Sequence, residues 1–418
     1  MKISSHHKGF PPTTFGLTCD SLSDRLSVLN GDFLTPLLVL KRSAFERNVA
    51  EMSKFCKKHE ISLAPHVKTT MSPEIASAQL DHGAWGITLA TPSQVMAFRA
   101  LGAQRILLAN ELVDAAAITW LIAELERDPE FECYCYVDSS DGVDLLEKIL
   151  GRRSHVRKVA VIVEIGIEHG RTGVRDREVA IELAERVASS EHLQLAGIGG
   201  FEGIISGDFN DQLISSVRAY IRELGETADK VVSSLGVQSD EFIVTVGGSA
   251  YIPIIANELN SEWRAGRPIR VVLRSGCYVT HDTAGYEKYR EFLASRFNMV
   301  QLVPSLELWS AVLSRPEPNL AIMDFGKRDA GIDAGFPVPL KVVRRGSSTP
   351  STPPTAEIVS LNDQHAYLRS AEPAELPLDV GDRICFGISH PCTTLDKWRL
   401  FPMVDDEYIM KGAAQTLF

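Results

Sequence analysis

The sequence predicts an α/β fold, a (β/α)8 or TIM barrel followed by a mainly antiparallel β domain. Three observations support this fold class. At 418 residues the chain exceeds the usual size of a single hydrophobic core, so two domains are expected. From Thr35 onward, short β-branched runs alternate with segments of helical period, which is typical of parallel strands joined by crossover helices. After Pro268 the helical period fades and strand-like runs follow one another.

Eight strand-like runs lie in the first region, and eight regular βα units favour a closed barrel over an open doubly wound sheet. We place the barrel at residues 32–268 and the β domain at 269–418, to which residues 1–31 could also belong. The first strand of the β domain is predicted within IRVVLRSGCYVTHD. The eight strands predicted for the barrel are TPLLVLK, SLAPHVK, GITLAT, RILLAN, CYCYVDS, KVAVIVEIG, LQLAGIGGF and FIVTVGGS.

Composition excludes several classes of function. The chain carries 43 Lys and Arg against 54 Asp and Glu, a formal net charge of −11, which disfavours nucleic acid or an anionic membrane as the main partner. The N-terminus lacks the apolar core of a signal peptide, and no run is long enough for a membrane span, so a cytoplasmic location is expected. The seven cysteines are odd in number and scattered, unlike a disulfide framework.

Charged residues follow several of the predicted strands. Active sites of these barrels lie at the carboxyl ends of the strands, where we find Lys68, Glu164, Arg171 and Glu202. Lys68 could instead be a solvated strand end, and Arg171 could be the ion-pair partner of Glu164 or Glu168. Spacing alone leaves both interpretations open.

The last predicted barrel strand ends in VGGSA, which contains Gly247, Gly248 and Ser249 and precedes a short helical run. Such a turn after a late barrel strand is a common phosphate site, although Gly-Gly-Ser is also a frequent ordinary turn. A phosphate site facing a strand-end lysine suggests pyridoxal phosphate, whose aldehyde forms a Schiff base with lysine. The lysine must be neutral to react, so burial or a nearby positive charge has to lower its pKa.

A second cluster lies in FGISHPCTTLDKW, where His390 and Cys392 are two residues apart. In an extended segment their side chains point to the same side and could hold one metal ion. Imidazole and thiolate together suit zinc best among the common metals. A surface histidine beside a buried cysteine is the simpler alternative.

These segments, in this order, resemble the D-serine dehydratase and D-threonine aldolase family, which consists of fold-type III pyridoxal-phosphate enzymes built like alanine racemase. The likeness begins at about Thr35 and covers nearly the whole chain. The matching motifs are PHVKTT, GRTGV, GFEG, VGGS, RSGCYVTHD, DFGKRDAGID, LNDQHAYL and SHPC.

The resemblance implies that Lys68 is the Schiff-base lysine and that Arg171 faces the cofactor ring. It implies that two turns, at residues 247–249 and 276–278, hold the phosphate. It also implies metal ligands in the SHPC segment and a homodimer. The His-x-Cys pattern is the form found in dehydratases of the family. The implied cofactor-binding residues are Lys68, Arg171, Gly247, Gly248, Ser249, Gly276, Cys277 and Tyr278, and the implied metal ligands are His390 and Cys392.

The expected activity is dehydration of a D-configured 3-hydroxy amino acid such as D-serine, giving a 2-oxo acid and ammonia. Lys68 would take the Cα proton, and zinc would assist departure of the β-hydroxyl. The nearest alternative is a D-threonine-type aldolase that releases glycine and an aldehyde, and a racemase is a third. Two alternatives belong to other classes of protein. A non-catalytic pyridoxal-phosphate carrier leaves the β domain unexplained, and a metal-binding module leaves the lysine unexplained.

Overall fold

The computed structural model describes residues 2–152, 157–236, 242–370 and 374–418. Within these residues the chain forms one parallel and one mainly antiparallel sheet, with helices packed around the parallel one. The predicted barrel with a C-terminal β domain is thereby confirmed. None of the described helices combines the length and the apolar character needed to cross a membrane.

Strands and helices alternate in the first part of the chain, and strands predominate after it. The strands of the described residues are β1 Leu37–Lys41, β2 Ser62–Leu63, β3 Ile87–Leu89, β4 Arg105–Glu111, β5 Glu132–Val137, β6 Val159–Ile165, β7 Leu193–Phe201, β8 Phe242–Gly247, β9 Ile269–Leu273, β10 Leu306–Glu317, β11 Leu320–Met323, β12 Val338–Val343, β13 Pro350–Ser351, β14 Ala356–Leu361, β15 Ala366–Ser370, β16 Arg383–Gly387, β17 Leu400–Val404 and β18 Met410–Gln415. Their α-helices are α1 Arg42–Lys58, α2 Pro73–Asp81, α3 Pro92–Ala100, α4 Ala115–Arg127, α5 Ser140–Leu150, α6 Arg177–Ala188, α7 Asp211–Leu235, α8 Ile252–Glu258, α9 Ser261–Arg264, α10 Gly285–Ala294 and α11 Pro391–Leu395.

Several barrel helices begin at polar residues that cap their free backbone N–H groups. The side chains of Ser72, Thr91, Asp114 and Asp176 accept hydrogen bonds from the first turns of α2, α3, α4 and α6. Such caps stabilise a helix by about 1 kcal/mol each. At its other end α7 stops at Gly236, whose φ of 60° is left-handed and suits glycine.

The parallel sheet runs in the order β2-β9-β8-β7-β6-β5-β4-β3. A parallel bridge between His66 and Thr88 connects the two ends of this order and closes the sheet into a barrel. Side chains from the strands fill the interior, where Tyr136, Ile162 and Val272 belong to one buried cluster. Because both faces of each strand are covered, the strands are nearly continuous apolar runs in the sequence.

Two strands lie in the opposite sheet from the one predicted. β1, predicted as the first barrel strand, pairs antiparallel with β10 and parallel with β17 in the β domain. β9, predicted as the first strand of the β domain, pairs in parallel with β8 and β2 and is the eighth barrel strand. Both assignments were wrong because an apolar run predicts a buried strand but does not select its partner. The division of the chain into domains at residue 268 stays a prediction.

The second sheet follows the path β13-β12-β16-β10-β1-β17-β18, and β11, β15 and β14 continue it from β10. The long strand β10 pairs with β1, β11 and β16 and so joins these parts. Trp309 on β10 is fully buried in a cluster that also contains Phe10 and Phe33. The first residues of the chain therefore pack on the β domain, as the sequence analysis allowed.

Asn48 on α1 fixes the connection that follows β9. Its amide nitrogen donates to the carbonyl oxygens of Val279, at 3.1 Å, and Val303, at 2.8 Å, and its oxygen accepts from the Val303 N–H at 2.9 Å. The side chain is fully buried. Residues 277–279 form a short 3₁₀ helix just beyond β9. Asn48 thus holds the turn on which two of the predicted cofactor residues lie.

We predict that Asn48→Ala lowers the free energy of unfolding by about 2–4 kcal/mol, because it leaves buried carbonyl and N–H groups without partners. Urea unfolding followed by circular dichroism measures the change. Asn260→Ala is the matched control, since it removes a partly exposed helix cap on α9. A loss for Asn48→Ala no larger than that of the control would contradict the prediction.

Candidate active site

A cavity of about 220 Å³ opens at the carboxyl ends of the barrel strands, where active sites of this fold lie. Its walls come from the ends of β6 and β8 and from the segments that follow β2 and β9. The structure therefore brings four of the predicted site residues to one cavity. These are Lys68, Arg171, Gly247 and Gly248.

A larger cleft of about 780 Å³ lies in the β domain, away from these strand ends. Its walls include Arg344 and Asp382. The Asp382 carboxylate accepts hydrogen bonds from the Arg344 guanidinium, at 2.8 Å, and from the N–H groups of Arg345 and Asp379. The charged groups of this cleft are hydrogen-bonded to one another and to the backbone. We therefore take the smaller cavity, at the strand ends, as the stronger candidate for an active site.

Lys68 lies on a 3₁₀ turn, Val67–Thr69, beyond β2, which ends at Leu63 rather than at Val67 as predicted. Desolvation by the surrounding protein lowers the pKa of Lys68, and the positive charge of Arg171 lowers it further. An amine with a lowered pKa is neutral more often near neutral pH and is the better nucleophile. The arrangement favours a functional lysine over a solvated strand end.

Arg171 points its charge at the cavity and not at a carboxylate. Its guanidinium carbon lies 4.6 Å from the centre of the Phe201 ring. Among the described residues no ion pair joins Arg171 to Glu164 or Glu168, and Glu168 lies instead 3.6 Å from His169. The positive charge is therefore available to lower the pKa of Lys68 and to bind an anion.

Glu111 and Glu164 form a pair of neighbouring carboxyl groups, of which Glu164 lines the cavity. Burial raises the pKa of Glu111 to about 8, and the charge of Glu164 adds to this effect. One oxygen of each carboxyl group has no hydrogen-bond partner among the described residues. Glu111 therefore holds a proton at neutral pH. The sequence analysis missed Glu111, although its place at the end of β4 could have indicated it.

The Gly-Gly-Ser turn follows β8, which is the seventh barrel strand and not the eighth. Gly248 has a φ of 133°, and a Cβ atom there would lie 2.3 Å from a carboxyl oxygen of Glu202. The hydroxyl of Ser249 lies 2.6 Å from that of Ser275, in the turn that follows β9. Residue 248 must therefore be glycine, and the backbone N–H groups of such a turn are suited to an anion such as phosphate.

Arg274 supports this turn from behind. Its guanidinium donates to the Thr245 hydroxyl and to the Gly200 carbonyl oxygen, both at 2.7 Å, and a Cβ atom at Gly247 would lie 2.8 Å from it. The sequence analysis quoted Arg274 within a motif but gave it no role. Its buried positive charge favours an anion at the glycine turn.

The next three predicted cofactor residues lie beside Lys68. A Cβ atom at Gly276 would approach the His66 carbonyl oxygen to 2.5 Å, so this turn packs closely on the segment before Lys68. The Tyr278 hydroxyl accepts a hydrogen bond from Gln79 at 2.9 Å. The side chain of Cys277 points to Cys392, with the two sulfur atoms 3.3 Å apart. Only backbone atoms of Cys277 and Tyr278 are therefore free to bind a phosphate.

His390 and Cys392 are in contact, but the segment is not extended as predicted. His390 caps α11, and Cys392 lies in its first turn. A carboxyl oxygen of Asp333, a residue that the sequence analysis did not single out, lies 2.5 Å from Nδ1 of His390. The hydrogen bond from Cys277 lowers the pKa of Cys392 to about 5, and His390 contributes to this shift.

A thiolate and an imidazole whose other nitrogen faces a carboxylate are a donor set that fits a divalent metal. As the side chains stand, no three His, Cys, Asp or Glu residues in the described part of the chain are placed to hold an ion. α11 packs against the turn that carries Lys68. The thiolate of Cys392 also raises the pKa of Lys68, which opposes the effect of desolvation.

Together these features suit a barrel enzyme that binds a phosphorylated carbonyl cofactor through a lysine. Residues 40–266 match the family of alanine racemase N-terminal domains, and residues 305–404 match the serine dehydratase domain family. The chain belongs to the fold-type III family of pyridoxal-phosphate enzymes that combines these two domains, with D-threonine aldolase and hydroxyaspartate dehydratase among its relatives.

The chain is 25% identical to a D-threonine aldolase of an Arthrobacter species over 348 residues, which cover 83% of each chain. It is 26% identical to a 3-hydroxy-D-aspartate aldolase of Paracoccus denitrificans strain Pd 1222 over 306 residues, or 72% of this chain and 74% of the other. A structure of a cysteine-to-alanine variant of the Delftia D-threo-3-hydroxyaspartate dehydratase, in the metal-free form, superposes with a TM-score of 0.72 at 19% identity, covering 94% of this chain and 99% of the other.

We predict that Glu202 makes stability fall as pH rises from about 5 to 8. Burial raises the pKa of this fully buried carboxyl group from 4.5 to about 8, so in this window the folded chain holds a proton that the unfolded chain releases. Stability is therefore fully present below the unfolded pKa and is lost as pH rises through the folded pKa.

Glu202→Gln should reduce the slope of the unfolding free energy against pH by the contribution of one proton. The raised pKa of Glu111 still contributes to the slope that remains. Urea unfolding at several pH values measures the slope, and Glu168→Gln, at an exposed position, is the control. Equal slopes for wild type and Glu202→Gln would contradict the prediction.

Proposed function

We propose that the protein is a pyridoxal-phosphate-dependent, metal-assisted dehydratase of a D-configured 3-hydroxy amino acid such as D-serine, which forms a 2-oxo acid and ammonia. One observation carries this proposal. Lys68 lines the cavity together with Arg171, and the turn that carries Lys68 packs against α11, which carries Cys392. This arrangement supports a cofactor site and a metal site that share one lysine.

The residues proposed to hold the cofactor are those that line or support the cavity. Lys68 binds it covalently, Arg171 faces its ring, and the backbone of the Gly247–Ser249 turn and of residues 276–278 holds its phosphate. When bound, pyridoxal phosphate supplies an electron sink for negative charge at Cα. Glu202, directly behind Gly248, is protonated near neutral pH and so does not repel the phosphate.

Lys68 has a second task once the substrate is in place. As a neutral amine at the cavity it takes the Cα proton of the amino acid. The β-hydroxyl leaves, and the enamine that results tautomerises and is hydrolysed to the 2-oxo acid and ammonia. Hydroxide is a poor leaving group, so this step needs assistance.

His390 and Cys392 are proposed to hold a divalent metal, for which zinc is the best match to a nitrogen and a sulfur ligand. Bound there, the ion supplies Lewis acidity toward the β-hydroxyl. Asp333 holds Nδ1 of His390 at 2.5 Å and so leaves Nε2 for the ion. This carboxylate–histidine arrangement orients the ligand before the metal arrives.

An aldolase is the second candidate, because the curated relatives matched over most of the chain are aldolases. It would use the same cofactor and metal but cleave the Cα–Cβ bond to give glycine and an aldehyde. The His-x-Cys pattern is the observation that favours the dehydratase. A homodimer and a cytoplasmic location are proposed on the family resemblance alone.

We predict that the purified protein releases ammonia and a 2-oxo acid from D-serine, and that a chelator lowers the rate by about 100-fold or more because hydroxide loss becomes limiting. Assays of both product pairs, with D-serine and D-threonine as substrates, measure this. Glycine with an aldehyde as the main products would show an aldolase. Bound cofactor without turnover of any D-amino acid would favour the carrier.

We predict that Lys68→Ala lowers turnover by roughly 10²–10⁴-fold or more and abolishes the absorbance of covalently bound cofactor, because the variant lacks both the amine and the base. Lys54→Ala, at an exposed lysine of α1, is the matched control. Retention of both turnover and absorbance in Lys68→Ala would refute the assignment.

A further inference from the structure

Two cysteines far apart in sequence meet beside the lysine turn. The sulfur atoms of Cys277 and Cys392 are 3.3 Å apart, although 115 residues separate them along the chain. Cys277 follows barrel strand β9, and Cys392 lies in α11 of the β domain. The Cys277 sulfur lies 3.9 Å from the hydroxyl of Thr69, which is the neighbour of Lys68 in the chain, and α11 packs against the same turn.

The other buried cysteines have no such partner in sulfur contact. Cys56 and Cys135 are buried, and this burial is the main reason that their pKa values are raised to about 12. They behave as small apolar side chains. Cys277 instead contacts Cys392 and lies 3.9 Å from the Thr69 hydroxyl. Its surroundings are polar, although its side chain is buried.

The distance between the two sulfur atoms discriminates between two roles for the pair. Two thiolates on one tetrahedral zinc ion, each at about 2.3 Å, are about 3.8 Å apart. A disulfide bond instead requires about 2.05 Å. From 3.3 Å, sharing an ion needs a separation of about 0.5 Å, whereas a disulfide needs an approach of more than about 1.2 Å. The geometry is closer to a shared ion.

We propose that Cys277 is a third protein ligand, through its sulfur, of the metal ion assigned above to His390 and Cys392. This inference rests on the proposed function, which supplies the ion. His390 is the N-cap residue of α11 and Cys392 lies in the first turn of that helix, while the Cys277 sulfur lies 3.3 Å from that of Cys392, so the three donors lie in one region. One imidazole and two thiolates leave a fourth position for substrate or water, as in catalytic zinc sites.

This ligand set has two consequences. Two thiolates favour zinc over harder ions such as magnesium or manganese. In addition, Cys277 directly follows Gly276, which is proposed to help hold the cofactor phosphate. The ion would therefore connect the cofactor turn of the barrel to the His-x-Cys segment of the β domain, and the two sites would be positioned together.

Zinc K-edge X-ray absorption of the reduced, cofactor-loaded protein counts the sulfur ligands directly. We expect two sulfur atoms per zinc in the wild type and one in Cys277→Ser and in Cys392→Ser. Cys19→Ser, which replaces a buried cysteine of the N-terminal segment, should keep two. Competition with a chromophoric chelator should show zinc binding weakened by at least about 10–100-fold in Cys277→Ser and unchanged in Cys19→Ser.

A single sulfur ligand in the wild type, or two in Cys277→Ser, would overturn this inference and leave the proposed function intact. Wild-type protein that binds no zinc would overturn the metal part of the proposed function and this inference with it. Loss of two free thiols without zinc would show a disulfide. Since the wild-type sulfur count decides by itself, the test does not depend on the folding of a variant.

Discussion

The parallel pairing of β2 with β9 is the contact on which the site depends. Ser62 lies opposite Val272 and Leu63 opposite Leu273, and the backbone N–H groups of Ala64 and His66 continue the contact by donating to the carbonyl oxygens of Leu273 and Ser275. It places the turn that carries Lys68 beside the turn that carries Gly276, close enough that a Cβ atom there would collide with a backbone carbonyl oxygen. The Gly276 turn and Lys68 are thus neighbours because two short strands are neighbours, and neither segment could form this arrangement alone.

The two domains are joined through β1, which belongs to the β domain, and β9, which belongs to the barrel. β1 lies inside the β domain and runs directly into α1, which packs on residues 277–279 through the amide of Asn48. The β domain returns α11 to the lysine turn. The described chain crosses between the sheets twice, between β1 and β2 and between β9 and β10. The contact of α11 with the lysine turn therefore holds the segment with His390 against the barrel mouth.

Burial controls the charges around the cavity. Glu111 and Glu202 both have pKa values raised to about 8, chiefly by desolvation, while the arginines Arg171 and Arg274 remain positive. The balance therefore favours an anion at the glycine turn, and burial together with Arg171 lowers the pKa of Lys68. A site with the same residues in an exposed position would have neither property.

The sequence alone determined the barrel with its β domain and most of the barrel strands, because periodicity is a local feature. It also indicated Lys68, Arg171, Gly247 and Gly248, which line one cavity, because they follow the ends of strands. It could not assign β1 and β9 to their sheets, since an apolar run is equally suited to either. The surroundings of Arg274 and Asp333, the Cys277–Cys392 contact and the pairing of Glu111 with Glu164 required the tertiary structure. These features come from desolvation and from neighbours that are distant in the chain, such as Asp333 and His390 or Cys277 and Cys392, and local sequence reveals neither.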